Sequence, residues 1–155
     1  MALSQVGEYI DDIEQVKPIM NMVLGFHENK NARIRHSVCH CIGQISDDMN
    51  PKVQEIYYEQ VLQAMSKLLY DPVPRVVANA AACLANFVEG MSDSTLESYL
   101  KPFLVRFFEI LQTACSYTKE SVISAISTFA ETAGTNFFPY YDDAVKFFLN
   151  MMETH

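Results

Sequence analysis

Few side chains in this 155-residue chain have the type and spacing to do chemistry, and each set stops short of a site. His36 and His40 lie four apart, so on a helix both rings share one face, as in helical metal sites. Structural zinc needs four well-placed ligands, and Gln44 and Asp47, which continue that face, are poor ones. Cys39 and Cys41 are two apart and project to opposite sides of a helix, so they cannot close a site with each other. The carboxylate pairs Asp11-Asp12, Asp47-Asp48 and Asp142-Asp143 are sequence neighbours, which do not face each other on a helix and make no acid–base couple. All lie at expected helix ends, and Asp142-Asp143 falls in a first turn, where the helix dipole favours negative charge. The five glycines are scattered and form no phosphate loop, and Ser, His and Asp occur without a nucleophile elbow. The expectation is no catalytic residue, no metal and no cofactor: a protein that binds rather than an enzyme.

The elements that carry these residues repeat. Ala32-Arg33-Ile34-Arg35-His36-Ser37-Val38-Cys39-His40-Cys41-Ile42-Gly43-Gln44-Ile45 returns 42 residues on as Pro74-Arg75-Val76-Val77-Ala78-Asn79-Ala80-Ala81-Ala82-Cys83-Leu84-Ala85-Asn86-Phe87. A fainter copy, Glu120-Ser121-Val122-Ile123-Ser124-Ala125-Ile126-Ser127-Thr128-Phe129-Ala130, aligns at a further shift of 46. Paired helices with a period of about 40–47 residues are the sign of HEAT and armadillo arrays. Such arrays are binding scaffolds, which turns the question from reaction to partner.

The intervening segments repeat too. Ile19-Met20 with Val23-Leu24, Val61-Leu62 with Met65, Phe103-Leu104 with Phe107-Phe108, and Ala144-Val145 with Phe148-Leu149 follow one another at shifts of 42, 42 and 41. Apolar residues three and four apart make each an amphipathic helix with one buried stripe. Asn50-Pro51 suits a helix start, Ser94 with Glu97 fits a capping box, and Asp71-Pro72-Val73-Pro74 must be a tight turn inside one repeat. Pro18 and Pro102 read as kinks within helices. The expected fold is an all-α, α-α superhelix: a HEAT-repeat solenoid over 1–155 with about three complete helix pairs and half-repeats at each end. Its helices are expected at 2–10, 12–28, 31–47, 51–70, 73–90, 95–115, 118–134 and 138–153. No alternating strand pattern and no hairpin turn competes with this map.

Net charge is −8 with a pI near 4.8, which speaks against nucleic acid, whose affinity rests on Lys and Arg at phosphates. It speaks equally against an anionic membrane surface and in favour of basic partners. No apolar run reaches the ~18 residues of a membrane span, and no signal peptide is visible. Four cysteines without framework spacing, two of them at one repeat position (Cys41 and Cys83), read as small core residues in a reducing compartment. Met1-Ala2-Leu3 enters mid-helix and the last helix has no partner, which reads as a piece of a longer solenoid with apolar ends that self-associate.

On the second (B) helix of each pair, Ile34, Val38, Cys41, Ile42 and Ile45, then Val76, Ala80, Cys83, Leu84 and Phe87, then Val122, Ile126, Phe129, Ala130 and Ala133 draw the apolar seam. What is left is a polar ridge. Its candidate partner-binding residues are Arg35, His36, His40, Gln44, Asn79, Asn86, Glu89, Ser127 and Glu131, with Asp47, Ala82, Ser124 and Thr128 beside them. Solenoids bind on the concave surface that B helices line. Asn79 and Asn86, seven apart in an alanine-rich helix, suit the backbone of an extended peptide and equally suit a neighbouring repeat's backbone. The first (A) helices are rich in aromatics (Tyr57, Tyr58, Tyr99, Phe107, Phe108, Tyr140, Tyr141, Phe147, Phe148), mostly core, with grooves between them fit for a partner's aromatic side chain.

The block from Arg33 to Gln44 and its copy from Arg75 to Glu89 resemble consecutive HEAT repeats of the beta-karyopherin (importin-beta) family. Tyr99-Leu100-Lys101-Pro102-Phe103-Leu104 and Phe138-Pro139-Tyr140-Tyr141-Asp142 fit the same picture, and Asn86-Phe87-Val88-Glu89 followed by Phe137-Phe138-Pro139-Tyr140-Tyr141 is closest to its importin beta-3 branch. The resemblance runs over essentially the whole chain. It implies a nuclear transport receptor of cytoplasm, nucleus and nuclear pore. Such a receptor holds protein cargo against the B-helix concavity, binds Ran-GTP to release it, and takes phenylalanine-glycine (FG) nucleoporins into grooves between A helices. Arg35, His36 and His40 depart from a fully acidic cargo groove. The rival expectations are a HEAT adaptor such as a phosphatase regulatory subunit, or a regulatory array attached to a catalytic domain.

Overall fold

The computed structural model describes residues 12–153. Among these, seven α-helices follow one another: α1 (Ile13–Leu24), α2 (Ala32–Asp48), α3 (Lys52–Leu68), α4 (Pro74–Val88), α5 (Asp93–Thr113), α6 (Ser116–Ala133) and α7 (Phe138–Glu153), with a 3-10 turn at Gly134–Phe137 before the last. No strand occurs among the described residues. The helix expected at 2–10 lies outside them. The odd-numbered helices are the A helices and α2, α4 and α6 are the B helices of three stacked pairs.

Local chemistry sets the ends. Asp12 and Asn31 cap α1 and α2, their side chains accepting from the Glu14 and Arg33 amides at 3.0 Å each. Pro74 takes the first position of α4, where its missing N–H costs nothing. The cap of α5 is Ser92, two residues before the expected Ser94: its hydroxyl accepts from the Thr95 amide at 3.4 Å. α1 stops at Leu24, short of the expected 28, and passes through turns over 25–28. Gly134 ends α6 with φ of 52°, a left-handed conformation that side chains resist. Pro18 and Pro102 both lie inside helices.

The three B helices begin at Ala32, Pro74 and Ser116, so both steps are 42 residues. The second step was expected at 46. Burial decides for 42: Thr118 takes the place of Val76, Val122 that of Ala80, Ala125 that of Cys83, and Phe129 that of Phe87, all buried. The sequence match had slipped by one helical turn, because a buried threonine hides the first seam position of α6.

Packing between B helices, α2 on α4 and α4 on α6, is the most extensive in the molecule. Small residues permit it: Ala78, Ala80, Ala81 and Ala85 are buried on α4, and a methyl added to Gly43 of α2 would lie 3.5 Å from the Cys83 Cα. The A helices carry larger side chains and stand further apart. Packing is closer among the B helices than among the A helices, the arrangement by which stacked helix pairs curve with their B helices on the inner side. Phe103, Phe107 and Phe129 form an aromatic cluster with centroids 5.3–6.3 Å apart joining α5 to α6. Phe107 and Phe129 are fully buried, so truncating either to alanine would cost about 3–5 kcal/mol. On α7, Phe138, Tyr141, Leu149 and Met152 expose an apolar face. Ile34, expected in the seam, is 38% exposed, because α2 has no B helix before it among the described residues.

Candidate functional site

At the 42-residue step, nine positions form a grid on the free side of the B helices. Arg33, His40 and Asp47 lie two turns apart down α2; Arg75, Ala82 and Glu89 repeat them at α4, and Tyr117, Ser124 and Glu131 at α6. All nine are exposed. One edge is thus Arg33, Arg75 and Tyr117, and the other is Asp47, Glu89 and Glu131. Fourteen residues at 1.5 Å each separate the edges by about 21 Å, and B helices pack about 8–10 Å apart along each row.

These charges oppose the helix dipoles. None of α2, α4 and α6 has an acidic residue in its first turn or a basic one in its last. Arginines begin two of them and carboxylates end all three. Each reversal forgoes roughly 0.3–1 kcal/mol of favourable dipole interaction. A charge pattern kept against local stability in three consecutive helices points to a partner.

The A helices offer a different surface. Between α3 and α5 runs a groove of about 460 Å³ lined by Leu62, Leu69, Tyr99, Pro102 and Phe103, mostly apolar. Arg106 closes one end. Its Nη2 and Nε donate to the Leu69 carbonyl at 2.8 and 3.3 Å, Nη1 donates to Glu109 at 3.0 Å, and the guanidinium lies 3.8 Å from the Tyr70 ring centroid. A second groove, between α1 and α3, holds Asn21, Leu24, His27 and Lys67.

A family model described as stalled ribosome sensor GCN1-like HEAT repeats matches residues 1–109. Importin subunit beta-3 of Saccharomyces cerevisiae is 34% identical over 158 aligned residues, covering 100% of this chain and 14% of that protein. Solved structures of Kap121p have the same fold at 32% identity. The complex with the extreme C-terminus of the phosphatase Cdc14p matches at a TM-score of 0.93 over 98% of this chain, and the RanGTP complex at 0.86 over 99%; each match covers 15% of the Kap121p chain. The chain is a HEAT-repeat array of the beta-karyopherin family. It spans about one-seventh of the length of these relatives.

Within this karyopherin array the residues assigned to the ridge divide into three groups. His40, Asn86, Glu89 and Glu131 are exposed and make no intramolecular hydrogen bond or ion pair among the described residues. Gln44 and Asn79 are partly buried and engaged locally, donating to Asp48 at 3.0 Å and to the Arg75 carbonyl at 2.9 Å. His36 is also partly buried; burial, the Arg75 charge and His40 together hold its pKa below the ordinary value. Arg35 alone of these assigned residues leaves the ridge. Arg35 turns into the stack and clamps Asp71. Ser127 is exposed; it stands at the register of Gly43 and Ala85, which are buried where one B helix meets the next, and no B helix follows α6 among the described residues.

Cys39, Cys41 and Cys83 are buried and Cys115 is exposed. Cys39 and Cys41, expected on opposite sides of α2, are both enclosed because packing surrounds that helix on more than one face. No three His, Cys, Asp or Glu side chains cluster as metal ligands among the described residues. No described helix is long and apolar enough to cross a membrane.

Sequence reading missed Asp71 as Arg35's partner, Arg106 as the groove's end, and Arg33, Arg75 and Tyr117 as one row. The last had a signal in the sequence: the even 42-residue step, obscured by the slipped third repeat.

Proposed function

We propose that this array is an inner stretch of a nuclear transport receptor, acting by binding and without catalysis, and cycling between cytoplasm and nucleus through the pore. The concave face holds cargo: Asp47, Glu89 and Glu131, one per repeat, present a carboxylate row to lysines of an extended signal, and Asn86 offers its amide to the signal's backbone. A chain in the polyproline II conformation turns once every three residues and advances about 3.1 Å per residue, so basic residues at every third position face one side and meet successive carboxylates. The α3–α5 groove takes a phenylalanine of an FG nucleoporin between Tyr99 and Phe103. Ran-GTP engages the full-length receptor and releases cargo. The observation that carries this reading is the exposed acidic row at an even 42-residue spacing, and the likeness to importin beta-3 and to Kap121p in its RanGTP complex supports it.

The test uses the full-length receptor with Asn86→Ala and Glu89→Ala, both exposed, so the fold is retained. Calorimetric titration with a lysine-rich cargo peptide is expected to show weaker binding than the parent. Unchanged affinity removes the site. Failure of the receptor to bind Ran-GTP or FG peptides would favour a HEAT adaptor instead.

A further inference from the structure

The opposite edge of the concave face has no role in that reading. Arg33 and Arg75 are exposed, and neither guanidinium has an acceptor among the described residues. Tyr117, third in the row, is 52% exposed. In the first two turns of α2, α4 and α6 the one carboxylate is Glu120. The amino ends of the B helices add their dipoles to the same sign. A positive strip therefore runs parallel to the carboxylate row, on a protein whose net charge is −8. The two edges are about 21 Å apart. Side chains of several ångströms reaching inward from each edge leave a gap that one peptide with side chains on both sides can bridge.

We propose that Arg33 and Arg75, with Tyr117 beside them, form a docking strip for an acidic flank of the same segment whose lysines occupy the carboxylate row. The preferred partner is then a peptide of two-sided charge, lysines toward the carboxyl ends of the B helices and Asp or Glu toward their amino ends. The pairing fixes which way the segment faces, because turning it over sets like charges against each other along both edges. Nucleic acid does not fit the strip: a polyanion following it would lie beside the carboxylate row.

This inference rests on the cargo reading, and the experiment separates the two. Two synthetic peptides share one lysine pattern; one carries glutamates on its other side and the second carries glutamines there. Binding to the full-length receptor is followed by fluorescence anisotropy at low and physiological salt. The glutamate peptide is expected to bind the parent about three- to tenfold more tightly, the worth of one or two exposed ion pairs. Arg33→Gln with Arg75→Gln should remove that preference, leave the glutamine peptide's affinity unchanged and leave the melting temperature unaltered. Equal binding of both peptides to the parent, a preference that survives in the variant, or displacement of the glutamate peptide by a single-stranded oligonucleotide overturns the strip alone. If neither peptide binds the parent, the cargo reading falls and the strip with it.

Discussion

The Arg35 guanidinium on α2 holds the Asp71 carboxylate of the next repeat's turn with two hydrogen bonds, Nε to Oδ2 at 2.6 Å and Nη2 to Oδ1 at 3.0 Å. The same guanidinium donates to the Asn29 and Lys30 carbonyls, and Asp71 accepts from the Val73 amide. One side chain thus ties its own repeat's turn to the next one. Only 13% of the Arg35 side chain and 4% of the Asp71 side chain remain exposed, so solvent screens the pair little. The Arg35–Asp71 rung has no copy in the next step: the positions of Arg35 in α4 and α6 are Val77 and Lys119, and that of Asp71 before α6 is Thr113. The first two repeats are pinned together by this buried ion pair, the second and third by apolar packing and by hydrogen bonds from Arg106 to the Leu69 carbonyl and from Thr118 to the Pro74 carbonyl.

Breaking that rung should be costly. Asp71→Ala strands a mostly buried guanidinium and frees the Val73 amide, so it is expected to lower unfolding free energy by about 3 kcal/mol. Urea denaturation followed by circular dichroism measures it. Arg35→Met with Asp71→Leu, which removes both charges, should recover a large part of the loss; a double variant as unstable as the single one would assign the loss to the turn.

Gly90 is required for space. A Cβ there would fall 2.6 Å from Gln54 Cδ and 2.8 Å from Asn50 Oδ1. Gln54 cannot simply swing away, being 1% exposed and donating to the Ser46 carbonyl at 3.0 Å. Gly90→Ala is expected to cost roughly 1–3 kcal/mol by overpacking. Gln54→Ala in the same chain opens the space and leaves the Ser46 carbonyl without its donor. If overpacking is the cause, thermal melts will place the double variant above the sum of the two single losses.

The fold was legible because its signal is repeated. Val61-Leu62 and Phe103-Leu104 mark equivalent A-helix faces, and Ile42 and Leu84 equivalent B-helix seams, so errors at one repeat are corrected by another. The third B helix shows the limit. Thr118 is buried with its hydroxyl donating to the Pro74 carbonyl at 3.3 Å, and no hydropathy pattern marks a threonine satisfied in that way as core. The ridge was harder to read. Arg35 and His36 are adjacent polar residues on one helix, yet Arg35 clamps a turn 36 residues away and His36 stays on the face. Ser127 is exposed although its register is that of the buried Gly43 and Ala85, because no B helix follows α6 among the described residues.

His36 should titrate below its ordinary value of 6.5, mainly through burial and secondarily through the Arg75 charge and His40. A histidine whose folded pKa is depressed takes up protons more readily when unfolded, so its contribution to stability is intact above about pH 6.5 and is lost as pH falls below that value. Proton NMR titration is expected to show the low value and, in Arg75→Ala, a rise toward 6.5. No change in Arg75→Ala would leave burial and His40 as the causes.

The four cysteines should separate cleanly by reactivity. Burial pushes the Cys39 thiol up to about 12 and the Cys83 thiol well above its usual value, and it also raises Cys41. Cys115 stands exposed at the start of α6, where hydrogen bonds from Thr118 lower its pKa. Since the thiolate is the attacking form, Cys115 combines access with a larger thiolate fraction at neutral pH. Brief treatment of the native chain with a maleimide should add one label, at Cys115, and treatment in denaturant should add four. Labelling of Cys41 or Cys83 under native conditions at a rate near that of Cys115 would mean that the α2–α4 seam opens on the timescale of the reaction, and the close packing among the B helices would have to be given up.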